Sequence, residues 1–293
     1  MLSTGNNLKY FVLVGIGGSN LGAKAVYDAL KMPEDGRPEM LFADTVSSVM
    51  LERIIAKLKT AKKEEVLLNY VSKSGKTLET KENFEILKEY AGTIVDTYKE
   101  LEFDKTIGGR FSVLTEVGLY PLRMCGFNTE EMLRGKADAT EGNARWLYDQ
   151  LQAGMVVHDM FLFNPELESL GKWYRQLMGE STGKDGKGFV PTVSIGTTDL
   201  HSMFQRYVGG PHNIATTFVC AGEPNKFYKA TKQAYRDHNL PFQEYIMPEL
   251  NEYELGKFFE TKMREIVHLA HFMGVNPYNQ PNVEDYKKLI AGY

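Results

Sequence analysis

Apolar residues occur along the chain in short continuous runs separated by longer mixed segments. The runs are rich in β-branched residues, which is typical of strands. Because these runs are continuous rather than alternating, they indicate a sheet covered on both faces. The predicted strands cover residues 11–14, 40–42, 66–71, 93–95, 190–195, 216–219 and 242–246.

The mixed segments carry apolar residues at helical spacing. The predicted helices cover residues 21–30, 47–58, 78–90, 129–153, 167–178, 200–207, 252–273 and 283–290. A strand–helix–strand order predicts the α/β class with mostly parallel sheets. Asn128, followed three residues later by Glu131, predicts a capping box that opens the long helix at 129. We place a domain boundary there, which gives domains of residues 1–127 and 128–293.

Composition narrows the class of protein. The 293 residues are 43% hydrophobic, enough for one large or two medium domains with a substantial core. A net charge of -4 with scattered Lys and Arg argues against nucleic acid as the main partner. Two cysteines, Cys125 and Cys220, fit a reducing compartment, and the sequence contains no apolar run long enough for a membrane span.

The first predicted strand ends in the segment GIGGSNLG, residues 15–22. Its glycines allow close backbone approach, and the following helix would offer its N-terminal amides to an anion. One interpretation is a nicotinamide dinucleotide site, since Asp44 ends the second strand where a ribose-binding acid would stand. However, Asn20 occupies the place of the third glycine in that fingerprint. A tight turn without a ligand is the other interpretation.

A second loop, SKSGKTLET at residues 72–80, follows the third predicted strand. Ser72, Ser74 and Thr77 offer short hydroxyl donors, and Lys73 and Lys76 add positive charge, as expected of a phosphate site. The alternative is an N-capping cluster with solvated lysines. Together with Ser19 at the end of a nearby parallel strand, this loop favours one monophosphate, because a dinucleotide does not require a second loop.

Six segments in this order resemble the glucose-6-phosphate isomerase family across nearly the whole chain. They are the two loops above and GGRFSVLTEVGL (108–119), QLMGESTGKDGKG (176–188), GTTDLHS (196–202) and GVNPYNQPNVEDYKK (274–288). The resemblance implies two sugar isomerase (SIS) domains, each a parallel sheet sandwiched between helices. It also implies a cytoplasmic homodimer that interconverts glucose 6-phosphate and fructose 6-phosphate in glycolysis and gluconeogenesis, without metal or cofactor.

The resemblance also assigns roles to particular residues. Glu180 matches the catalytic base, and Arg110 matches the arginine near the developing enediolate. His201 matches a histidine that acts on the sugar ring and is supplied by the partner subunit. Glu79 matches an acid that orients this histidine, and Lys287 matches the ring-opening lysine. The positions that match substrate- and phosphate-binding residues are Ser19, Ser72, Lys73, Ser74, Thr77, Gln176 and Gln280.

These residue types suit the implied chemistry. A carboxylate can remove a proton from C2 and return it to C1, and a fixed guanidinium stabilises the cis-enediolate between the two steps. Histidine titrates in the range needed for ring opening, and Lys287 can donate a proton or electrostatic support. Outside the motifs, Glu180 would be interpreted as a surface glutamate, Arg110 as a structural arginine, and His201 as a helix-start residue.

The chain departs from the family pattern in four places. It starts almost at the first strand, the stretch between residues 80 and 108 is short by one strand–helix unit, residues 221–243 are abbreviated, and Lys76 stands where the family has threonine. Three other functions stay open: a sugar-phosphate-binding regulatory protein without catalysis, an isomerase that also accepts mannose 6-phosphate, and a dehydrogenase.

Overall fold

The computed structural model describes residues 7–32, 35–75 and 77–290, apart from the side chains of Glu284, Tyr286, Lys287 and Lys288. The chain forms two compact units. The first unit is Met1–Asp138 with Leu250–Phe259, and the second is Ala139–Glu249 with Glu260–Tyr293. The units therefore change at residue 138 rather than 127, and the boundary at 127 stays a prediction about separately folding domains.

The first unit is built on a four-stranded parallel sheet with the order β2-β1-β3-β4. Its strands are β1 (Tyr10–Val14), β2 (Glu39–Ala43), β3 (Val66–Tyr70) and β4 (Thr93–Asp96). Its helices are α1 (Leu21–Leu30), α2 (Ser48–Leu58), α3 (Leu78–Leu87), α4 (Thr97–Glu100), α5 (Glu116–Met124) and α6 (Thr129–Ala137).

The second unit contains a four-stranded parallel sheet with the order β6-β5-β7-β8. Its strands are β5 (Val157–Leu162), β6 (Val190–Ile195), β7 (Ile214–Ala221) and β8 (Phe242–Met247). Its helices are α7 (Ala144–Gln152), α8 (Glu168–Thr182), α9 (Thr198–Ser202), α10 (Phe204–Gly209), α11 (Lys226–Asp237) and α13 (Val283–Ile290). The long helix α12 (Glu252–Met273) contributes its start to the first unit and the rest to the second.

The predicted α/β class with parallel sheets is confirmed, and all seven predicted strands are present. Strand β5, at the centre of the second sheet, was missed because His158 and Asp159 interrupt its apolar run. Helices α5 and α11 were also missed. The first contains Pro121, and the second is largely polar. In the part of the chain that the structure describes, no helix is long and apolar enough to cross a membrane.

The single helix predicted for residues 129–153 is wrong, because the chain forms α6 and α7 instead. Gly142 adopts a φ of 67° between them, and the Asn143 side chain accepts a hydrogen bond from the Trp146 amide at 3.3 Å to start α7. Glu265 holds this break in place by accepting the Asn143 amide at 2.8 Å. The helix predicted for 200–207 is likewise divided at Met203 into α9 and α10.

The capping box predicted at Asn128 is half formed. The Asn128 side chain accepts the Glu131 amide at 3.2 Å, as predicted. Its own amide donates to Glu252 at the start of α12, also at 3.2 Å, because the Glu131 carboxylate pairs with Arg134 instead. The cap therefore joins α6 to α12 within the first unit. The two helices touch through their backbones, since a Cβ on Gly135 would lie 1.9 Å from the Tyr253 carbonyl oxygen.

Two polar side chains lie fully buried in β5. His158 bonds Thr217 at 2.8 Å and packs between the rings of Tyr174 and Phe189. Burial lowers the pKa of His158 to about 3, so the imidazole is neutral. The neighbouring Asp159 accepts hydrogen bonds from Thr192 at 2.6 Å and Ser194 at 3.0 Å. Burial raises the pKa of this carboxyl to about 6, in spite of these bonds.

This raised pKa predicts a pH-dependent stability. The folded protein favours the protonated form of Asp159. The stability that this protonated carboxyl contributes is fully present below about pH 4 and is lost as pH rises through 6. We expect Asp159→Asn to gain roughly 2 to 3 kcal/mol over wild type in unfolding free energy between pH 4 and 7. Urea unfolding across this range measures the difference.

The matched control is Asp149→Asn, at an exposed carboxylate on α7. This carboxylate pairs with Arg145 at 2.8 Å on the surface of the helix, so we expect its removal to give no comparable gain in unfolding free energy. Parallel pH profiles for Asp159→Asn and wild type would contradict the prediction, because they would mean that Asp159 ionises alike in the folded and unfolded states.

Candidate active site

In the first unit, two loops leave the sheet side by side. Strands β1 and β3 are parallel neighbours, so the chain leaves both at the same edge of the sheet. The Val71 amide donates to the Val14 carbonyl oxygen at 2.9 Å just before the loops begin. A Cβ on Gly15 would lie 2.9 Å from the Ser19 Cβ and 3.0 Å from the Val71 carbonyl oxygen. Glycine is therefore required for the two loops to approach each other.

A third segment, the short 3-10 turn Gly109–Phe111, completes this group and carries Arg110. A Cβ on Gly18 would lie only 2.1 Å from the Gly109 carbonyl carbon, so the first loop and this turn touch through their backbones. The Ser112 hydroxyl donates to the Gly109 carbonyl at 2.7 Å. Arg110 is 3% exposed, and its guanidinium lies 5.4 Å from the centre of the Phe111 ring. The structure thus brings the Ser19 loop and Arg110 together.

The second loop presents its hydroxyls at the same edge. Ser72 is buried and lies 3.4 Å from the Thr77 hydroxyl, while Gly75 turns the chain with a φ of 61°. Thr77 precedes α3, but its side chain makes no capping hydrogen bond there. The N-capping interpretation of this hydroxyl therefore does not hold. Glu79 lies in the first turn of α3, and Lys76 falls outside the described residues.

The Lys73 side chain is directed at main-chain oxygens, whereas the sequence predicted a lysine that faces a phosphate. Its ammonium group donates hydrogen bonds to the carbonyl oxygens of Thr106 at 2.9 Å and Ile107 at 3.2 Å. A cleft of about 720 Å³ opens beside this loop within the first unit. This volume lies within the range of small-molecule sites. The lining includes Tyr70, Ser72, Lys73, Ser74, Lys81, Phe84 and Tyr98.

In the second unit, α8 holds Gln176 and Glu180 one helical turn apart. The Gln176 amide donates to the Glu180 carboxylate at 2.8 Å, and both side chains are partly buried. A hydrogen bond from a neutral side-chain amide fixes the direction of the carboxylate without neutralising its charge. The structure therefore pairs two residues that the sequence had assigned to base and substrate binding.

The C-terminal segment lies near the end of α8. Lys184 donates to the carbonyl oxygens of Ser181, at 2.9 Å, and of Asn276. Lys187 donates to the Met273 carbonyl oxygen at 2.9 Å. These bonds hold the segment that leads to Gln280, which is partly buried. Lys287 lies in α13, and its side chain falls outside the described residues.

His201 lies at the other end of the second sheet from Glu180. Glu180 is beside the start of β6, because a Cβ on its neighbour Gly179 would lie 3.6 Å from Pro191, the second residue of that strand. His201 is exposed on α9, which begins after β6 has ended. A six-residue strand is about 20 Å long. Within one chain, the second unit therefore keeps these two side chains apart.

The turn that leads to His201 is strained. Thr197 has a φ of 26°, which a β-branched residue rarely adopts. Asp199 holds the turn closed by accepting the Ile195 amide at 2.7 Å and the Ser202 hydroxyl at 2.6 Å. Neither Thr197 nor Asp199 was among the predicted site residues, although Asp199 and Ser202 have the three-residue spacing of a helix-start bond. Strain of this kind is concentrated at functional sites.

The ionisable groups of the described residues do not form a metal site, since no cluster of three or more His, Cys, Asp or Glu side chains suits an ion. Asp44, which would bind the ribose in a dinucleotide site, lies 3.9 Å from the Lys24 ammonium. The arrangement of hydroxyls, glycine-lined backbone and a buried arginine instead suits a phosphorylated small molecule.

The fold matches known proteins closely. A hypothetical protein of Thermus thermophilus superposes with a TM-score of 0.84 at 24% identity, over 97% of this chain and 83% of that one. A glucose-6-phosphate isomerase of Chlamydia trachomatis superposes with a TM-score of 0.77 at 19% identity, over 98% and 69% of the two chains. The two helix-covered parallel sheets define an α/β protein of the sugar isomerase (SIS) type.

Sequence comparison narrows the class to one family. The phosphoglucose isomerase family model matches residues 2–96. A glucose-6-phosphate isomerase of Shouchella clausii is 30% identical over 94% of this chain and 78% of its own length. The chain belongs to the glucose-6-phosphate isomerase family. The alignment extends over 353 positions, more than the 293 residues here, so that relative carries internal segments that this chain lacks.

The strain at Thr197 yields a stability prediction. We expect Thr197→Gly to raise the free energy of unfolding by about 1 kcal/mol, because relief of the strained φ outweighs the added chain entropy of glycine. Chemical denaturation measures the change. Thr198→Gly is the control in the next position, which is helical and also exposed, and it should lower stability by about 0.3 kcal/mol, the difference between the helix propensities of threonine and glycine. Equal losses in both variants would contradict the strain.

Proposed function

We propose that this chain catalyses the reversible isomerisation of glucose 6-phosphate to fructose 6-phosphate. Membership of the family supports an aldose–ketose isomerase. The observation that carries the proposal is the Glu180 carboxylate, partly buried and fixed by the Gln176 amide at 2.8 Å. A protein that only binds sugar phosphates has no need for a positioned base.

We assign phosphate binding to residues of the first unit. Ser19, Ser72, Ser74 and Thr77 offer hydroxyls, and the loop backbones and the N-terminus of α1 offer amides. These groups provide the hydrogen bonds and partial positive charge that a phosphate dianion requires. The shared sheet edge of β1 and β3 supports this role, because it holds both loops side by side.

The chemical steps are assigned as follows. Glu180 removes the proton from C2 of the open-chain aldose and returns it to C1, while Arg110 stabilises the charge on the cis-enediolate oxygen. The hydroxyl proton on O2 passes to O1, so that C2 becomes the ketone carbon and C1 carries the hydroxyl. His201 and Lys287 open the ring before this transfer, and Glu79 orients His201. Gln176 and Gln280 bind the sugar. Isomerisation within one substrate consumes no redox cofactor, since the electrons removed from one carbon are returned to its neighbour.

Two other functions of the same site are tested together with this one. Mannose 6-phosphate differs from the substrate only at C2, so the same base could serve it if the sugar bound in another orientation. A regulatory sugar-phosphate-binding protein would use the loops without Glu180. Because phosphorylated hexoses are charged and do not cross membranes, the proposed reaction places the protein in the cytoplasm with its substrate.

Replacement of the base tests the catalytic proposal. We expect Glu180→Gln to lower kcat for fructose 6-phosphate by about 10³-fold or more, because the amide cannot accept a proton from carbon. KM should change little, since the side chain keeps its size and its bond to Gln176. A coupled assay with glucose-6-phosphate dehydrogenase measures formation of glucose 6-phosphate, and mannose 6-phosphate is supplied in parallel.

The matched control is Glu168→Gln, which makes the same change at the start of the same helix. Glu168 is exposed and pairs with Lys172 at 2.7 Å, so we expect its activity to stay within about twofold of wild type. Absence of turnover in wild type, with fructose 6-phosphate still bound in calorimetry, would overturn the isomerase and favour the regulatory protein.

The second part of the proposal is a homodimer in which His201 serves the partner subunit. The separation of Glu180 and His201 at opposite ends of the second sheet supports this arrangement. Because His201 is separated from Glu180 of its own chain by about the length of a strand, it is available to Glu180 of a partner subunit.

Mixing of inactive subunits tests the shared site. We expect His201→Ala and Glu180→Gln proteins, each inactive alone, to regain up to about a quarter of wild-type activity after unfolding and refolding together. In a mixed dimer, one of the two sites has both native side chains. Native mass spectrometry confirms that mixed dimers form. Inactive mixed dimers would exclude a shared site, and a monomeric wild type would exclude the dimer.

A further inference from the structure

Lys73 lies in the phosphate loop of the first unit, but its charge is directed at another segment. Two of the three donors of its ammonium group are used on main-chain oxygens, Thr106 at 2.9 Å and Ile107 at 3.2 Å. Hydrogen bonds from a charged donor are roughly twice as strong as those between neutral groups. The side chain therefore spans from the loop after β3 to the segment that precedes Arg110.

The segment that Lys73 holds is a turn closed by its own bonds. The Asp104 carboxylate accepts the amide of Thr106 at 2.9 Å and its hydroxyl at 2.5 Å. The Ile107 amide donates to the Asp104 carbonyl oxygen at 3.3 Å. Bonds from Thr106 hold the pKa of the Asp104 carboxyl below its usual range, and the Lys73 charge acts in the same direction. Hydrogen bonds thus close the turn on itself and tie it to the ammonium group.

The turn continues directly into the residues that place Arg110. The Phe111 amide donates to the Gly108 carbonyl oxygen at 2.9 Å, immediately after the two residues bound by Lys73. On its other side, the same 3-10 turn rests on Gly18 of the first loop, without room for a single Cβ. Arg110 is therefore held between the Ser19 loop by backbone contact and the Ser72 loop by Lys73.

We propose that Lys73 is a positioning residue that fixes the Arg110 turn to the phosphate loop, rather than a ligand of the phosphate. This inference rests on the proposed function for the role of Arg110. Binding of a phosphate by the loop that contains Ser72 and Ser74 then also fixes the guanidinium that faces the enediolate charge. Lys73 contributes to the transition state through Arg110 and makes no contact with substrate.

The kinetic test is Lys73→Met, which keeps an unbranched side chain and removes both hydrogen bonds. We expect kcat for fructose 6-phosphate to fall about 10- to 100-fold, because misplacement of a catalytic group by 1 Å costs this much. KM, and the inhibition constant of inorganic phosphate, should stay within about threefold. A rise of tenfold or more in both constants with kcat retained would overturn the proposal and make Lys73 a phosphate ligand.

Two further variants sharpen the test. Lys59→Met removes an exposed lysine of the first unit that does not line the cleft beside the phosphate loop and should change kcat less than about twofold, which excludes a general effect of charge. In an Arg110→Lys background, Lys73→Met should have less than about a threefold further effect, since Lys73 acts through the arginine. Full effects in both backgrounds would show independent roles and would overturn the proposal.

Hydrogen exchange provides a readout that does not depend on turnover. We expect the amides of Ile107, Phe111 and Ser112 to exchange about tenfold faster in Lys73→Met, with Lys73→Arg restoring much of the protection. Unchanged exchange would overturn the proposal even in an active enzyme. If wild type fails to turn over, the isomerase assignment fails, whereas the exchange experiment still decides whether Lys73 holds this turn.

Discussion

The close approach of three backbone segments in the first unit is the constraint on which the candidate site depends. Parallel pairing of β1 with β3 sends two loops from one sheet edge, and the Arg110 turn rests on the first of them. A Cβ at Gly18 would come within 2.1 Å of that turn. Glycine at this position therefore does more than permit a turn: it lets the Ser19 loop and the turn that carries the buried Arg110 touch through their backbones.

The second unit obeys a different constraint. Its sheet is centred on β5, whose buried His158 and Asp159 are held by hydroxyls of neighbouring strands rather than by solvent. Around this strand, α8 runs back towards the start of β6 with Glu180, and α9 leaves the other end with His201. The direction of a crossover helix thus sets which of the candidate catalytic side chains lie close together within the second unit, and this geometry supports the dimer proposal.

Much of the architecture was predictable from local patterns, and the exceptions have physical causes. Of the eight strands in the described residues, seven were predicted from their apolar and β-branched content. The inner strands β1, β3 and β7 are buried along most of their length, whereas the edge strands β4, β6 and β8 are partly exposed. The exception, β5, carries a histidine and an aspartate whose burial depends on partners from other strands. The helix at 129–153 was predicted as continuous because its apolar spacing persists, whereas Gly142 and the distant Glu265 divide it.

The sequence by itself determined the family and the α/β class, and it supplied the phosphate-type loops and the candidate site residues, because these depend on residue types at fixed spacings. Only the tertiary structure decided that Gln176 orients Glu180, that His201 lies at the far end of the sheet, and that the Lys73 ammonium holds main-chain oxygens of Thr106 and Ile107. The physical reason is that every residue offers the same carbonyl oxygen. No residue type marks which one a distant lysine will reach, and only the fold brings them together.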